Sequence, residues 1–228
     1  MVTSLEKNQQ ELLENQKALN EAQIRMLQAQ LNPHFLCNTL DTMKWISKIN
    51  QVPQVALMST NLADILRFCI SPAEFVPLRR EMEILERYVE IQRIRLSDSF
   101  AYEAQVPEEL LDCLVPKMIL QPIVENAILH GLEGISDSVI RVEAAQEGED
   151  LLITVTDNGH GLPPDMIGHP YRRESAPSGH HLGLFNVDTI LKKHYGERYG
   201  LYLDNNPAGS GARVRARLPL RRREEEEC

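Results

Sequence analysis

The chain of 228 residues carries a formal net charge of −9, with 43% hydrophobic and 25% charged residues, and is long enough for two small domains with their own cores. Its acidity argues against general binding to nucleic acid or to an anionic membrane surface. The four cysteines, Cys37, Cys69, Cys113 and Cys228, are far apart with no C-x-x-C pair, which fits reduced thiols and argues against structural zinc.

No apolar run reaches the roughly eighteen residues of a membrane span, and the opening "MVTSLEKNQQ" lacks the apolar stretch of a signal peptide. The chain starts in a helical pattern with no capping lead-in, as expected of a fragment of a longer protein. Leu5, Leu12, Leu19 and Met26 recur every seven residues, with Asn8, Asn15, Ala22 and Ala29 three residues after each, so a coiled-coil seam is predicted here. Asn and Ala make that seam weak alone, and the expected partner is an identical chain. The pattern densifies through Leu31, Leu36, Leu40, Met43 and Ile46, extending the predicted helix to about Ile49, where "NQVPQ" interrupts it. A second amphipathic helix is predicted from Val55 to Ile70 and stops at "SPAEFVP". Two such hairpins would bury their apolar stripes in a four-helix bundle, so residues 1–75 are expected to form a dimerisation domain.

A third helix, within a connecting segment 76–98, is predicted to end near Leu96. The texture then changes to that of an α+β domain over 76–220. "FAYEAQV" reads as a strand, "VPKMILQPIVENAILHGL" as a helix, and "VIRVEAAQ" and "DLLITVTD" as two strands joined by a turn. A loop rich in Gly, Pro and His follows to about His181, then a helix from Leu182 to about His194 and the strands "GLYLDNN" and "ARVRARLPL". The fold class is an all-α hairpin followed by a mixed sheet covered by helices on one face. Residues 221–228, "RRREEEEC", read as a disordered tail.

Three patterns in the second half carry chemistry in a fixed order. In "QPIVENAILHG" one helix presents Glu125 and Asn126, with His130 one turn on; an amide oxygen suits a hard cation that also bridges phosphates, though helix-surface Glu and Asn are usually just solvated. In "VTDNGHGL" an apolar strand ends in Asp157, followed by Gly159 and Gly161, where the backbone can approach a ligand closely. A carboxylate there suits the exocyclic amine of adenine; the plainer reading is an ordinary D-N-G turn. In "SGHHLGLFNV" two glycines flank a helix start, whose free N–H groups favour phosphate. His34, in "LNPHFLCNTL", reads by itself as a structural histidine more readily than as a reactive one.

In this order the three patterns resemble the N box and the two glycine boxes of the Bergerat or GHKL ATP-binding fold, shared by histidine kinases, type II topoisomerases and MutL. With "LQAQLNPHFLCNTL", "YVEIQRIRL" and "GSGARVRARLPL" added, the chain resembles the LytS/YesM-type sensor histidine kinases along nearly its whole length. The resemblance implies ATP and Mg²⁺ as cofactors, a homodimer, a response regulator receiver domain as partner, no nucleic-acid partner, and a bacterial membrane receptor of which this is the cytoplasmic portion, attached through a missing upstream segment.

It also implies roles. His34 stands where the family has its phosphoacceptor; Asn126 would ligate Mg²⁺; Asp157 would bind the adenine amine; Gly159 and Gly161 would shape the pocket; Gly183 and the backbone at Leu184 would hold phosphates, with His130 at the nucleotide site. Phe35 follows the histidine where many other kinases have an acid, leaving Glu125 or Asp41 as the proton acceptor, with Glu125 preferred. Asn38 is either a group that orients water for the reverse reaction or a surface amide. Three positions depart from the family pattern: Cys37 replaces a common Phe, His181 a frequent Gly, and Leu129 a basic residue. The expected function is ATP-dependent autophosphorylation of His34 and transfer to an aspartate of the regulator; the alternative is a nucleotide-binding dimeric scaffold or phosphatase with little kinase activity. Pro33 removes a backbone N–H and disfavours helix at Asn32, so a kink beside His34 is expected.

Overall fold

The computed structural model describes residues 33–97, 99–132, 135, 137–168, 182–207 and 209–222. The expected coiled coil, the kink at Asn32, the loop through His181 and residues 223–228 lie outside the described residues. The chain divides into two compact units, one ending at Ile70 and one beginning at Ser71.

The first unit is a hairpin of α1 (Pro33–Ile49) and α2 (Pro53–Ile70). Helix α2 starts on Pro53, whose fixed φ suits the first helical position and whose missing N–H is one the helix would leave unpaired anyway. Gln51, at φ 59°, turns the chain between them. Small residues hold the contact: Ser47 and Ser59 are buried and return their hydroxyls to the carbonyls of Met43 (2.6 Å) and Val55 (2.8 Å), beside buried Ala56, Ala63, Ile65 and Phe68. The larger apolar side chains Met43, Trp45, Ile46, Leu57 and Leu62 remain exposed on this hairpin.

In the second unit, β1 (Phe75–Pro77) leads directly into α3 (Leu78–Arg95), followed by β2 (Phe100–Gln105), β3 (Leu114–Pro116) and α4 (Leu120–Asn126), which continues as a π-helical turn over Ala127–Gly131. Then come β4 (Ser138–Glu147), β5 (Asp150–Asp157), α5 (Leu182–Tyr195), β6 (Gly200–Asn205) and β7 (Ala212–Pro219). The five-stranded sheet has the order β2-β4-β5-β7-β6, with β2 and β4 parallel and the other pairs antiparallel. Alternation sends Val142, Ile153, Val155, Leu203 and Val214 inward and leaves Arg141, Thr154 and Arg215 on the other face. Helix α5 packs on β6 and β7, and α4 packs between α3 and α5.

Three sequence expectations need correction. The helix predicted from Val115 begins only at Leu120, because Leu114–Pro116 pairs antiparallel with Phe75–Pro77 and Met118 turns the chain at φ 66°. The domain boundary expected after residue 75 falls after Ile70, because Phe75 pairs with Pro116 and the Glu74 carbonyl accepts Lys117 N–H within the second unit. Arg221 and Arg222, expected in the disordered tail, are held: Leu114 N–H donates to the Arg221 carbonyl at 2.7 Å, Arg222 bridges Cys113, and the Arg221 guanidinium lies 5.1 Å from the Tyr195 ring centre. Backbone pairing and a cation–π contact need no apolar side chain.

Candidate active site

Strand β5 ends in Asp157, which is 5% exposed. Its Oδ1 accepts two backbone N–H groups, from Gly159 (2.9 Å) and from Ala212 at the start of β7 (3.0 Å). Among the described residues nothing donates to Oδ2, so this buried carboxylate keeps an acceptor for a ligand. Burial pushes the carboxyl above the ordinary aspartate range, opposed by the amides of Ala212 and Gly159. Asn158 locks the next corner: its Oδ1 accepts Val139 N–H at 2.8 Å and its Nδ2 donates to the Asp137 carbonyl at 3.0 Å.

Gly161 has φ 80°, and a Cβ there would lie 2.9 Å from Asn205 Oδ1, the atom that accepts Leu162 N–H at 2.7 Å. Gly211 is under tighter constraint: at φ 104°, a Cβ would meet the Asp157 carbonyl oxygen at 2.0 Å and the Gly159 nitrogen at 2.7 Å. The β6–β7 connection therefore lies directly on the Asp157–Gly159 backbone, and only glycine permits that approach.

Helix α4 brings Glu125 and Asn126, both half-buried, to its C-terminal end just before the π turn, an irregularity that often accompanies function. Its other end is fixed by Glu81 of α3. This buried carboxylate accepts Met118 N–H at 2.6 Å and Ile119 and Leu120 N–H at 3.2 Å each, satisfying the free amides at the helix start. Burial raises the Glu81 carboxyl, and the three amides and Lys117 act against it. On α3, burial, with the Glu125 charge in second place, pushes the Tyr88 phenol up to about 12. Gly183, in the first turn of α5, would place a Cβ 3.2 Å from Pro122 Cβ, so the missing side chain lets α5 close on α4 one turn before Asn126.

Asp157, Gly159 and Gly161 thus share one corner, and Gly183 approaches α4 at Pro122, one turn before Asn126. Leu184 is a core residue with its side chain fully buried, so only its backbone is free to face a ligand. The His130 side chain lies outside the described residues. In the first unit His34 is exposed, and Asn38 Nδ2 is 3.2 Å from its Nδ1. Asp41, the second candidate proton acceptor, is bound 2.9 Å from Arg67 of α2. Glu81 and Gly211 were not singled out in the sequence: the first is one acid among several on a charged helix, and the second sits in a "GSG" that reads as turn. A glycine directly before a strand, set against an aspartate ending its neighbour, was the available signal for Gly211.

Two family models match in succession: the histidine kinase model over residues 22–100, and the "histidine kinase-, DNA gyrase B-, and HSP90-like ATPase" model over residues 114–222. The chain is 32% identical to the sensor histidine kinase YesM of Bacillus subtilis over 97% of its own length and 37% of that protein. The chain belongs to the sensor histidine kinases. It is also 35% identical to the sensor histidine kinase BtsS of Escherichia coli K12, over 91% of the chain and 35% of that protein, so it spans little more than a third of these relatives. The fold of its second unit is that of the catalytic domain of histidine kinase ThkA, with a TM-score of 0.50 at 15% identity over 65% of this chain and 97% of that one. The first match covers both helices of the hairpin and α3, the second covers α4, α5 and strands β4 to β7, and β2 lies almost wholly between them. Among the described residues no helix is long and apolar enough to cross a membrane.

Proposed function

We propose that this chain is the dimerising and catalytic core of a two-component sensor histidine kinase, which phosphorylates His34 from ATP and passes the phosphoryl group to an aspartate of a response regulator receiver domain. The observation that carries the reading is Asp157: a buried carboxylate with one oxygen fully engaged by backbone and the other available, at a corner that glycines keep open. That is the arrangement an exocyclic amine of adenine requires, since it must find a fixed acceptor out of water.

The reaction forms a bond from an imidazole nitrogen to the γ-phosphorus and breaks the bond to the β,γ-bridging oxygen, releasing ADP. The protein's share is positioning and charge neutralisation. Among the described residues no three acids, histidines or cysteines gather as a metal cage. A single amide oxygen at Asn126 fits Mg²⁺, which takes few protein ligands and completes its shell with phosphate and water. Bound there, the ion would neutralise phosphate charge. Gly183 and the backbone at Leu184 serve the phosphates, Gly159 and Gly161 leave room for the base, and His130 is assigned to the same nucleotide site. Glu125 takes the proton released by the imidazole.

The exposed Met43, Trp45, Ile46, Leu57 and Leu62 support a homodimer in which a second hairpin covers them as a four-helix bundle. The fraction of the relatives that the chain spans supports a receptor whose sensing and membrane segments lie elsewhere, with this core in the cytoplasm.

The test is incubation with γ-labelled ATP and Mg²⁺. Acid-labile, base-stable label that disappears in His34→Gln, together with weakened ATP binding in Asp157→Asn, is the expected result. Nucleotide binding without label on His34 would instead support a scaffold or phosphatase, and unchanged ATP affinity in Asp157→Asn would overturn the assigned site.

A further inference from the structure

The backbone ladder between β4 and β5 ends at the pair Ile140–Asp157, although β4 has already begun at Ser138. On the β5 side the next residue, Asn158, continues the ladder with its side chain. Its Oδ1 accepts Val139 N–H at 2.8 Å and its Nδ2 donates to the Asp137 carbonyl at 3.0 Å, as a further peptide of β5 would do. One neighbour is a donor and the other an acceptor, so a single orientation of the amide satisfies both. An asparagine in an ordinary turn bonds its own backbone two residues on, whereas these partners lie 19 and 21 positions earlier, on another strand and its approach. The anchor is firm. Ser138 is 2% exposed, pairs with Phe100 of β2 and returns its hydroxyl to the Ile135 carbonyl at 2.9 Å.

The main chain of Asn158 is held as well. Its carbonyl accepts the Ser210 hydroxyl at 3.1 Å, and the N–H at the other end of the same peptide, that of Gly159, donates to Asp157 Oδ1 at 2.9 Å. A peptide is planar, so one rigid plate runs from Ser210 in the β6–β7 connection to the carboxylate. Turning that plate would carry Oδ1 with it and swing Oδ2 away from its line to a ligand, and a hydrogen bond weakens steeply once it is bent. We propose that Asn158 is a positioning residue for adenine recognition: by closing the end of the β4–β5 ladder it fixes the Asn158–Gly159 peptide, and so aims Oδ2 of Asp157 at the exocyclic amine. The inference rests on the reading of Asp157 as the adenine acceptor. Asn158 acts through Asp157 and the backbone, and its own amide is fully engaged by Val139 and Asp137.

The experiment measures the affinity of the 228-residue chain, of Asn158→Ala and of Asn158→Asp for ATP and for purine riboside triphosphate, which is ATP without the 6-amino group. The wild-type chain is expected to prefer ATP by about tenfold or more, the lower range for a hydrogen bond to a charged group. In Asn158→Ala that preference should fall to about twofold, while affinity for the analogue stays within about threefold of wild type. Asn158→Asp keeps the acceptor for Val139 N–H but has no donor for the Asp137 carbonyl, so its preference should lie between the two. General loosening of the domain lowers both affinities together and leaves their ratio alone, so the ratio reads the aim of Asp157. A ratio that stays at the wild-type value in either variant, or a parallel loss of affinity for both nucleotides, would overturn the positioning role. A wild-type chain that binds the two nucleotides equally would instead sink the adenine reading of Asp157, and this inference with it, an outcome distinct from the other two.

Discussion

The side-chain amide of Asn38 stands 3.2 Å from Nδ1 of His34, one helical turn away on an exposed face. A neutral imidazole has one proton and one lone pair, so whichever amide atom faces Nδ1 selects the tautomer. With Nδ2 facing it, Nδ1 supplies the lone pair and Nε2 keeps the proton. With the amide turned over, Oδ1 accepts Nδ1–H and the lone pair lies on Nε2, the nitrogen farther from the helix and open to phosphorus. The proposed transfer of phosphoryl to Nε2 calls for the second orientation.

Asn38→Ala should therefore slow label transfer to His34 by about tenfold, the lower range of an orienting contribution. Asn38→Asp should retain more activity than Asn38→Ala, because a carboxylate still accepts Nδ1–H. Rapid-quench measurement of initial rates decides it, and an Ala variant as fast as wild type would reduce Asn38 to a surface amide.

Glu81→Gln keeps the size of the side chain but replaces one acceptor oxygen with a donor that faces amide donors. Of the three N–H groups of Met118, Ile119 and Leu120, at least one loses its partner inside the protein. A loss of about 1–3 kcal/mol is expected, read as a lower urea midpoint at unchanged slope. Because Glu81 sets the start of α4, ATP affinity in native conditions should weaken as well; a variant that is destabilised yet binds ATP normally would show that the helix finds its place without this carboxylate.

The elements that could be read from the sequence are those with a period. The repeats of α1, α2 and α3 and the alternation along β4, β5 and β7 follow from burying one face, and burial is what the apolar pattern encodes. The β1–β3 pair carries no such signal: each strand has three residues, both end in proline, and what fixes them is partner backbone about forty positions away in the chain. At the site, Asp157 and Gly161 were legible because residue type announces the chemistry. Gly211 was not, since its requirement comes from the backbone of Asp157, a neighbour only in space. Glu81 was invisible for a related reason: it acts on backbone N–H groups, and backbone partners leave no trace in side-chain patterns.

At the opposite end of β5 from Asp157, Asp150 predicts a distinct pH response. Burial alone would raise its carboxyl, but hydrogen bonds from Arg217 (Nε, 2.8 Å), Tyr199 (3.2 Å) and Arg198 (3.3 Å) outweigh burial and hold it below the ordinary range. A carboxyl lowered on folding stabilises the protein above its unfolded value, about 3.9, and that contribution is lost as pH falls through the lower folded value. Asp157 and Glu81, raised on folding, work in the other sense: their contribution is complete below their unfolded values and declines as pH rises through the raised folded ones. Urea midpoints should therefore fall on acidification below about pH 4, and Asp150→Asn should flatten that acid limb while lowering stability at neutral pH. An unchanged acid limb in Asp150→Asn would show that other carboxyls control it.

Gly211→Ala offers the sharpest test of the site's architecture. The new methyl would have to sit 2.0 Å from the Asp157 carbonyl oxygen and 2.6 Å from its carbonyl carbon, both backbone atoms that no rotamer change can move. The backbone at φ 104° adds a strain that alanine pays and glycine does not. Together these cost ~3 kcal/mol or more. Relief requires the β6–β7 connection to lift away from Asp157, which would take the Ala212 N–H from Oδ1 and loosen the carboxylate meant for adenine. Gly148→Ala is the control: its φ of 64° is also left-handed, but nothing lies within 4 Å of the added methyl, so the cost is the conformational one of about 1 kcal/mol. Chemical denaturation and ATP titration of the two variants should separate cleanly, with Gly148→Ala binding like wild type and Gly211→Ala losing at least tenfold in affinity where it remains folded. Equal affinities in the two would mean that the approach of β7 to Asp157 does not shape the nucleotide site.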